Sequence, residues 1–238
     1  MQKVAVIYRD PSRPATGVAT QLQHLREFVA PHCHALTLHV RSQALPAEII
    51  AAGGLDATLA AALILWVEKP EVVAALDYPL AWLGSNRQTY FLVESTLREY
   101  PRIDWLEGAM SPGVTLFALL SRRRALSVRE FHEHWQQHSK LSLQLHPLTR
   151  YHRNAVLRQA GHETPDCDGI VEERIASLAD LAPERFYIGD GARERATKSL
   201  DRYVDLSAGG LSCALMDEYL IKLPAWLLST AQRSAAES

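Results

Sequence analysis

The side chains best suited to moving a proton are concentrated between Ser127 and Asn154. Ser127 followed by Glu130 has the form of a capping box, in which the hydroxyl accepts from the N3 amide and the glutamate reaches back to the cap. Leu126 and Phe131 fall at N′ and N4, the positions of a hydrophobic staple. From this start Phe131, Trp135, His138, Ser142 and Leu145 recur at steps of three or four, which puts them on one helical face. His138 therefore lies on the stripe that should look toward a sheet. An imidazole there has two possible uses. It can be a core histidine bonded to a neighbouring carbonyl, since an unpaired buried polar group costs roughly 1–3 kcal/mol. Alternatively it borders a cavity and works as a general acid or base, because it titrates near the operating pH.

A second cluster is Arg150-Tyr151-His152-Arg153-Asn154. On a strand, alternation puts Tyr151 and Arg153 on one face and Arg150, His152 and Asn154 on the other. Whichever face meets the helix can bring polar groups to His138. Tyrosines are also common half-buried strand residues, and strand arginines blunt edge pairing. His134 and His138 form His-x-x-x-His, but Trp135 stands where a zinc protease has its glutamate, and no nearby Cys/His pair completes four ligands. No metal is expected, and His132 and His134 read as solvated flank residues. Cys167, in Pro-Asp-Cys-Asp-Gly, reads as an exposed turn cysteine. Arg122 to Arg124 read as a solvated strand end. Gly189-Asp190-Gly191 lacks the third glycine of a dinucleotide loop, and Gly210-Leu-Ser-Cys-Ala lacks the final glycine of a nucleophile elbow.

The elements that must position these groups follow from periodicity. Lys3–Arg9, Ala35–Val40, Ala61–Val67 and Thr89–Thr96 read as strands, and Val18–Val29 and Val72–Leu83 as helices. A short extra helix over Pro46–Ala52 ends at Gly53-Gly54. After a polar connector from Arg98 to Gly113 the order recurs. Strands are expected at Val114–Leu120, Thr149–Leu157, Ile170–Ile175 and within Leu211–Leu223. A helix spans Val128–Leu145, and helical or loop segments occupy Leu178–Ala192 and Glu194–Val204. The fold class is α+β, with two tandem ferredoxin-like βαββαβ units. Each unit leaves one apolar sheet face bare, so the two are expected to pack sheet on sheet. The boundary falls near 105, giving units 1–105 and 106–238.

Composition narrows the partners. The chain has 238 residues, with 25 Lys+Arg against 27 Asp+Glu, a formal charge of −2. That is not the basic excess of a nucleic-acid binder. The longest apolar stretch, Leu59–Val67, is far short of the ~20 residues that span a bilayer. Three widely spaced cysteines give no disulfide framework. A cytoplasmic protein acting on a small molecule, with no nucleic acid or membrane partner, is expected.

Several of these segments together resemble the EthD family. They are the strand from Val114 into Arg122–Arg124, the capped helix with Phe131, Trp135 and His138, the Arg150-Tyr151…Asn154 strand, and the Asp168-Gly169-Ile170 hairpin start. The resemblance covers about Val114 to Leu223. The family's usual proline beyond the helix histidine is replaced by Ser139, Lys140 and Leu141. The resemblance implies a dimeric α/β-barrel, here formed by one chain as its own pseudo-dimer with a degenerate first half, and a further homodimer is possible. It also implies a substrate cleft between helix layer and sheet, with His138 and Tyr151 catalytic and Trp135, Asn154, Arg150 and His152 binding substrate. The implied activity is that of a cofactor-independent isomerase, cyclase or lyase acting on a small, largely apolar carbonyl or aromatic-derived compound. The alternatives are a carrier for a hydrophobic metabolite or haem, and a cofactor-free monooxygenase.

Overall fold

The computed structural model describes residues 1–9, 17–42, 55–84 and 86–224. Its strands are β1 (Gln2–Arg9), β2 (Ala35–Arg41), β3 (Leu59–Val67), β4 (Arg87–Arg98), β5 (Val114–Leu120), β6 (Leu148–Gln159), β7 (Gly169–Ile175) and β8 (Leu211–Lys222). Its helices are α1 (Val18–Phe28), α2 (Val72–Ala75), α3 (Asp77–Trp82), α4 (Val128–Leu145), α5 (Pro183–Phe186) and α6 (Ala192–Asp201). The expected helix over Pro46–Ala52 lies outside the described residues.

All eight strands close into one antiparallel barrel in the order β1-β3-β2-β8-β5-β7-β6-β4. Within each half the order is fourth, first, third, second: β4-β1-β3-β2, then β8-β5-β7-β6. The halves are not two separate sheets stacked face to face. They are hydrogen-bonded to each other along both seams, β2 to β8 and β4 to β6. An open half would leave a row of unpaired N–H and C=O groups at each edge, and closure gives both rows a partner. Residues 99–113 carry no helix or strand. They run along β8, where Gly108 and Ser111 donate their amides to the Leu220 and Glu218 carbonyls.

Two local differences from the sequence reading have clear causes. The segment Val72–Leu83 is two short helices that meet at Leu76. Pro79 has no N–H to give the Ala75 carbonyl, so a single continuous helix would lose that bond, whereas Pro79 fits the first turn of a new helix. Leu178–Ala192 is a 3-10 turn followed by the one-turn helix α5, which Pro183 opens.

Closure gives every strand an inner and an outer face. On the outside, Val4, Val6, Leu36, Leu38, Leu63 and Leu65 form the core beneath α1 and α3. Val114, Ala118, Val171 and Ile175 pack against Phe131 and Trp135 of α4. Inside, one region is apolar, with Ile7, Ile64, Phe117, Leu119 and Ile170. The rest of the interior is charged. Lys3 places its ammonium 2.5 Å from Glu94 and 2.9 Å from Glu172, and both Lys3 and Glu172 are buried. Arg150 reaches Glu218 at 2.5 Å, and Arg174 bonds Thr115 and the Ser111 carbonyl. Burial alone would push the Glu172 carboxyl up, but Lys3, His39 and Arg150 together hold it well below the usual range. Glu218, facing Arg150 and Arg174, is held down to about 2.

Lys3→Met should expose what this neutralisation contributes. Removing one member of a buried ion pair costs about 3–5 kcal/mol, and here two carboxylates lose their ammonium. Because Glu94 and Glu172 are held below their ordinary values in the fold, their contribution is present above the unfolded carboxylate pKa and fades as pH falls. Denaturant titrations should therefore show a large deficit in the variant at neutral pH that narrows on acidification.

Candidate active site

Helix α4 begins with the capping box read from the sequence: Ser127 Oγ accepts from the Glu130 amide, and Glu130 accepts from the Ser127 amide at 2.8 Å. The helix then lies across the outer face of the second half of the barrel. Trp135, fully buried, presses onto Gly169 at the start of β7. A Cβ at residue 169 would come within 2.4 Å of the indole ring, so glycine lets the helix approach this closely. The centre of the buried stripe is held by Phe131, Trp135, Ser139, Ser142 and Leu145. His138, one step round the helix from Ser139, lies at its margin, half-buried. Ser139 donates its hydroxyl hydrogen to the Trp135 carbonyl at 2.8 Å. The His138 ring lies 5.5 Å from that of Tyr203, which follows α6.

Beside His138 is a cavity of about 100 Å³ between α4, the sheet and the segment after α6. Leu116, Ala118, Leu120, Val171, Leu200 and Leu211 make most of its wall apolar, and its polar side chains include His138, Tyr151, Glu173 and Tyr203. Tyr151 places its hydroxyl 3.0 Å from Ser139 Oγ, to which it donates, and stands opposite Glu173 across the β6–β7 pair. Among the described residues, His138 Nδ1, Trp135 Nε1 and the Tyr203 hydroxyl are buried without a hydrogen-bond partner.

The environment separates the titrations of these groups. Burial, reinforced by His146, pulls His138 down to about 4, so its imidazole is neutral at pH 7. Burial pushes Glu173 up to about 7, only partly opposed by its hydrogen bond from Tyr151. No Lys, Arg or His among the described residues forms an ion pair with Glu173. Burial and the neighbouring Glu173 push Tyr151 far up, and burial does the same to Tyr203. Burial thus favours the neutral form of both groups.

Of the residues singled out in the sequence, the structure brings His138, Tyr151 and Trp135 to this cavity. It does not bring Arg150, His152 or Asn154, which point into the barrel. Arg150 is bound by Glu218 and lies 3.2 Å from Glu99. The two ring nitrogens of His152 face Glu94 at 2.6 Å and Glu99 at 3.0 Å. Asn154 donates to the Ile170 carbonyl and to Glu172. Ligand atoms of Glu94, His152 and Glu172 lie within 4.8 Å of one another, but the Lys3 ammonium already sits against both carboxylates. Glu173 and Tyr203 were missed. The signal for Glu173 was present: in Gly-Ile-Val-Glu-Glu-Arg-Ile, alternation puts it with Val171 and Ile175, a carboxylate on the apolar face. Cys167 is buried rather than exposed. Asp166 is tied to Tyr90 at 2.6 Å and Asp168 to Arg122 at 2.9 Å, and the residue between them turns inward. Arg122 and Arg123 are likewise held, by Asp168 and Asp201, rather than free at a strand end.

This geometry defines the class: a closed eight-stranded α+β barrel of the dimeric α/β-barrel type, with an outer helix covering a small cavity. Residues 123–182, which include α4, β6 and β7, match the EthD domain model. Solved structures share the whole fold. An anthrone oxidase-like protein aligns with TM-score 0.55 and 13% identity over 94% of this chain and 95% of its own. A protein of Fusobacterium nucleatum provisionally assigned as a monooxygenase aligns with TM-score 0.55 and 7% identity over 92% and 91%. One from Lactobacillus acidophilus with the same provisional assignment aligns with TM-score 0.50 and 8% identity over 91% and 92%. At these identities the likeness is one of fold. No curated protein matches the chain in sequence. Among the described residues, no helix is long and apolar enough to cross a membrane.

The elevated Glu173 titration has a sign that can be measured. Between the ordinary carboxylate value of 4.5 and about 7 the folded chain keeps the proton that the unfolded chain releases. Stability is therefore lost as pH rises through that window, by roughly 3 kcal/mol at 1.36 kcal/mol per unit. Glu173→Gln removes the proton exchange. Urea titrations across the window should show the variant gaining on the wild type as pH rises, and a difference that is flat with pH would contradict the assignment.

Proposed function

We propose that this chain is an acid–base enzyme that moves a proton on a small, largely apolar carbonyl or aromatic-derived compound, as an isomerase, cyclase or lyase does. One observation carries the reading: His138 and Tyr151 both line the wall of a mostly apolar cavity. His138, neutral at pH 7, takes a proton from the carbon next to the carbonyl. The C–H electron pair moves into the carbonyl, and Tyr151 donates a hydrogen bond to the developing enolate oxygen. The imidazolium, a strong acid in this dry setting, returns the proton at the same or a conjugated carbon. A positioned acid–base group contributes about 10²–10⁴-fold, and a preorganised oxyanion donor about 2.7–4 kcal/mol. Trp135 supports the helix beneath His138. Arg150, His152 and Asn154 serve the barrel interior in this reading.

The cavity bounds the substrate. An apolar cavity of roughly 150 Å³ holds benzene, so about 100 Å³ suits a compact compound and a larger one requires the walls to part. We further read the chain as an internal pseudo-dimer of two ferredoxin-like units, 1–105 and 106–238, which the fourth-first-third-second strand order of each half supports. A second reading, a cofactor-free oxygenation, starts from the same deprotonation, the carbanion then meeting dioxygen. The monooxygenase and oxidase descriptions of the fold neighbours favour including it.

The test is exchange of solvent deuterium into the carbon next to the carbonyl of a small cyclic ketone. His138→Ala should lower the exchange rate at least about a hundredfold while the circular dichroism spectrum is kept. Unchanged exchange would remove His138 from the chemistry, and ketone binding without exchange in the wild type would favour a carrier. Oxygen uptake with a phenolic compound reads out the second possibility.

A further inference from the structure

Glu173 is the carboxyl of the cavity wall, which the mechanism above does not use, and its surroundings are unusual for such a group. From β6, Tyr151 and Arg153 lie on its face of the sheet. From α4 come His138 and, at the helix end, His146. Tyr187 and Tyr203 approach from the segments around α5 and α6, and Cys213 from β8. Arg153 is not its counter-ion; its guanidinium lies over the Trp135 ring, 5.0 Å from the centroid. The residue opposite Glu173 across the β6–β7 pair is Tyr151, and both line the cavity.

The Tyr151 hydroxyl has a single hydrogen, and Ser142 lies near it as well as the two acceptors between which the hydrogen can move. Ser139 Oγ, 3.0 Å away, can only accept, because its own hydrogen goes to the Trp135 carbonyl. The other acceptor is Glu173 when ionised, and a carboxylate takes a hydroxyl hydrogen more strongly than a neutral oxygen does. We propose that Glu173 is a positioning acid for Tyr151: as a neutral carboxyl it donates its hydrogen to the Tyr151 oxygen and leaves the tyrosine hydrogen on Ser139 Oγ, a neutral acceptor that a ligand carbonyl can replace, and as a carboxylate it draws that hydrogen away. The cavity is thereby matched to uncharged ligands whose oxygen accepts, such as ketones, enones and lactones. Its lining includes neither Lys nor Arg, so a carboxylate or phosphate ligand would be buried without a counter-ion beside Glu173. The proposed switch operates in the neutral range, where Glu173 titrates. It rests on the reading of the cavity as a binding site.

Infrared difference spectroscopy on the intact chain tests it first. A buried carboxylic C=O band should vanish with a midpoint near pH 7 and be absent in Glu173→Gln, and a tyrosine C–O band should shift at the same midpoint in the wild type alone. Should Glu173→Gln not fold, Tyr151→Phe gives the same information, because losing the tyrosine hydrogen bond raises the carboxyl midpoint. Second, 2-cyclohexen-1-one is titrated on either side of the midpoint. Wild-type affinity should fall about five- to tenfold on the alkaline side, the worth of one neutral hydrogen bond. Affinity should be independent of pH in Glu173→Gln and weak at both pH values in Tyr151→Phe, and cyclohexene-1-carboxylate should not bind. Equal wild-type affinity on both sides, no enone binding, or a tyrosine band indifferent to Glu173 would overturn the proposal. Deuterium exchange separates the two readings. Exchange with a Glu173→Gln profile unchanged from wild type defeats only the role of Glu173, whereas pH-dependent binding without exchange defeats only the catalytic reading.

Discussion

The pleat of β7 separates two adjacent glutamates, and the chemistry of the molecule depends on that separation. Glu172 points into the barrel, where Lys3 lies 2.9 Å away, Arg150 adds positive potential and His39 lies 3.3 Å from its carboxylate. Glu173 points outward, under α4, where it meets a tyrosine hydroxyl and an apolar cavity. Both are removed from water. One stays ionised because cations from other strands reach it, and the other is held near neutrality because none does. The alternation that makes a strand thus assigns one carboxylate to the charged interior and leaves the other beside the outer cavity.

Closure of the sheet makes both environments possible. Because β2 joins β8 and β4 joins β6, the barrel has an interior shared by both halves, and the charges there come from both: Lys3 and Glu94 from the first, Arg150, Glu172 and Glu218 from the second. The outside is built locally. The depth to which α4 settles is set where Trp135 meets Gly169, and the cavity is the space left beside that contact, roofed by Tyr203 from the far end of the chain. A site on the outer face can therefore draw its side chains from one half, while its rigidity comes from an interior to which the other half contributes.

Much of this was legible in the residues themselves. The start of α4 was fixed by Ser127, Glu130, Leu126 and Phe131, and its limits agree with the sequence reading. The two faces of Arg150–Asn154 were also readable, as a partition without a direction. Periodicity could say that Tyr151 parts company with Arg150, His152 and Asn154, but not which set faces the helix. Likewise it placed His138 on the buried stripe, while packing gave the centre of that stripe to Ser139 and left the imidazole at the margin. The cost of misreading Cys167 has the same origin, since the Asp166–Tyr90 and Asp168–Arg122 contacts that turn it inward join residues far apart in the chain.

What the sequence alone determined was the inventory: a run of strands and helices, one strongly capped helix, and a histidine and a tyrosine at spacings that let them line one cavity. Those follow from local forces, backbone period and capping, which act over a few residues. What only the tertiary structure decided was the inside and outside of the barrel, the counter-ions each carboxylate receives, and the existence of a cavity. These depend on burial and on charges brought together from distant strands, and both are properties of the closed sheet, not of any segment of it.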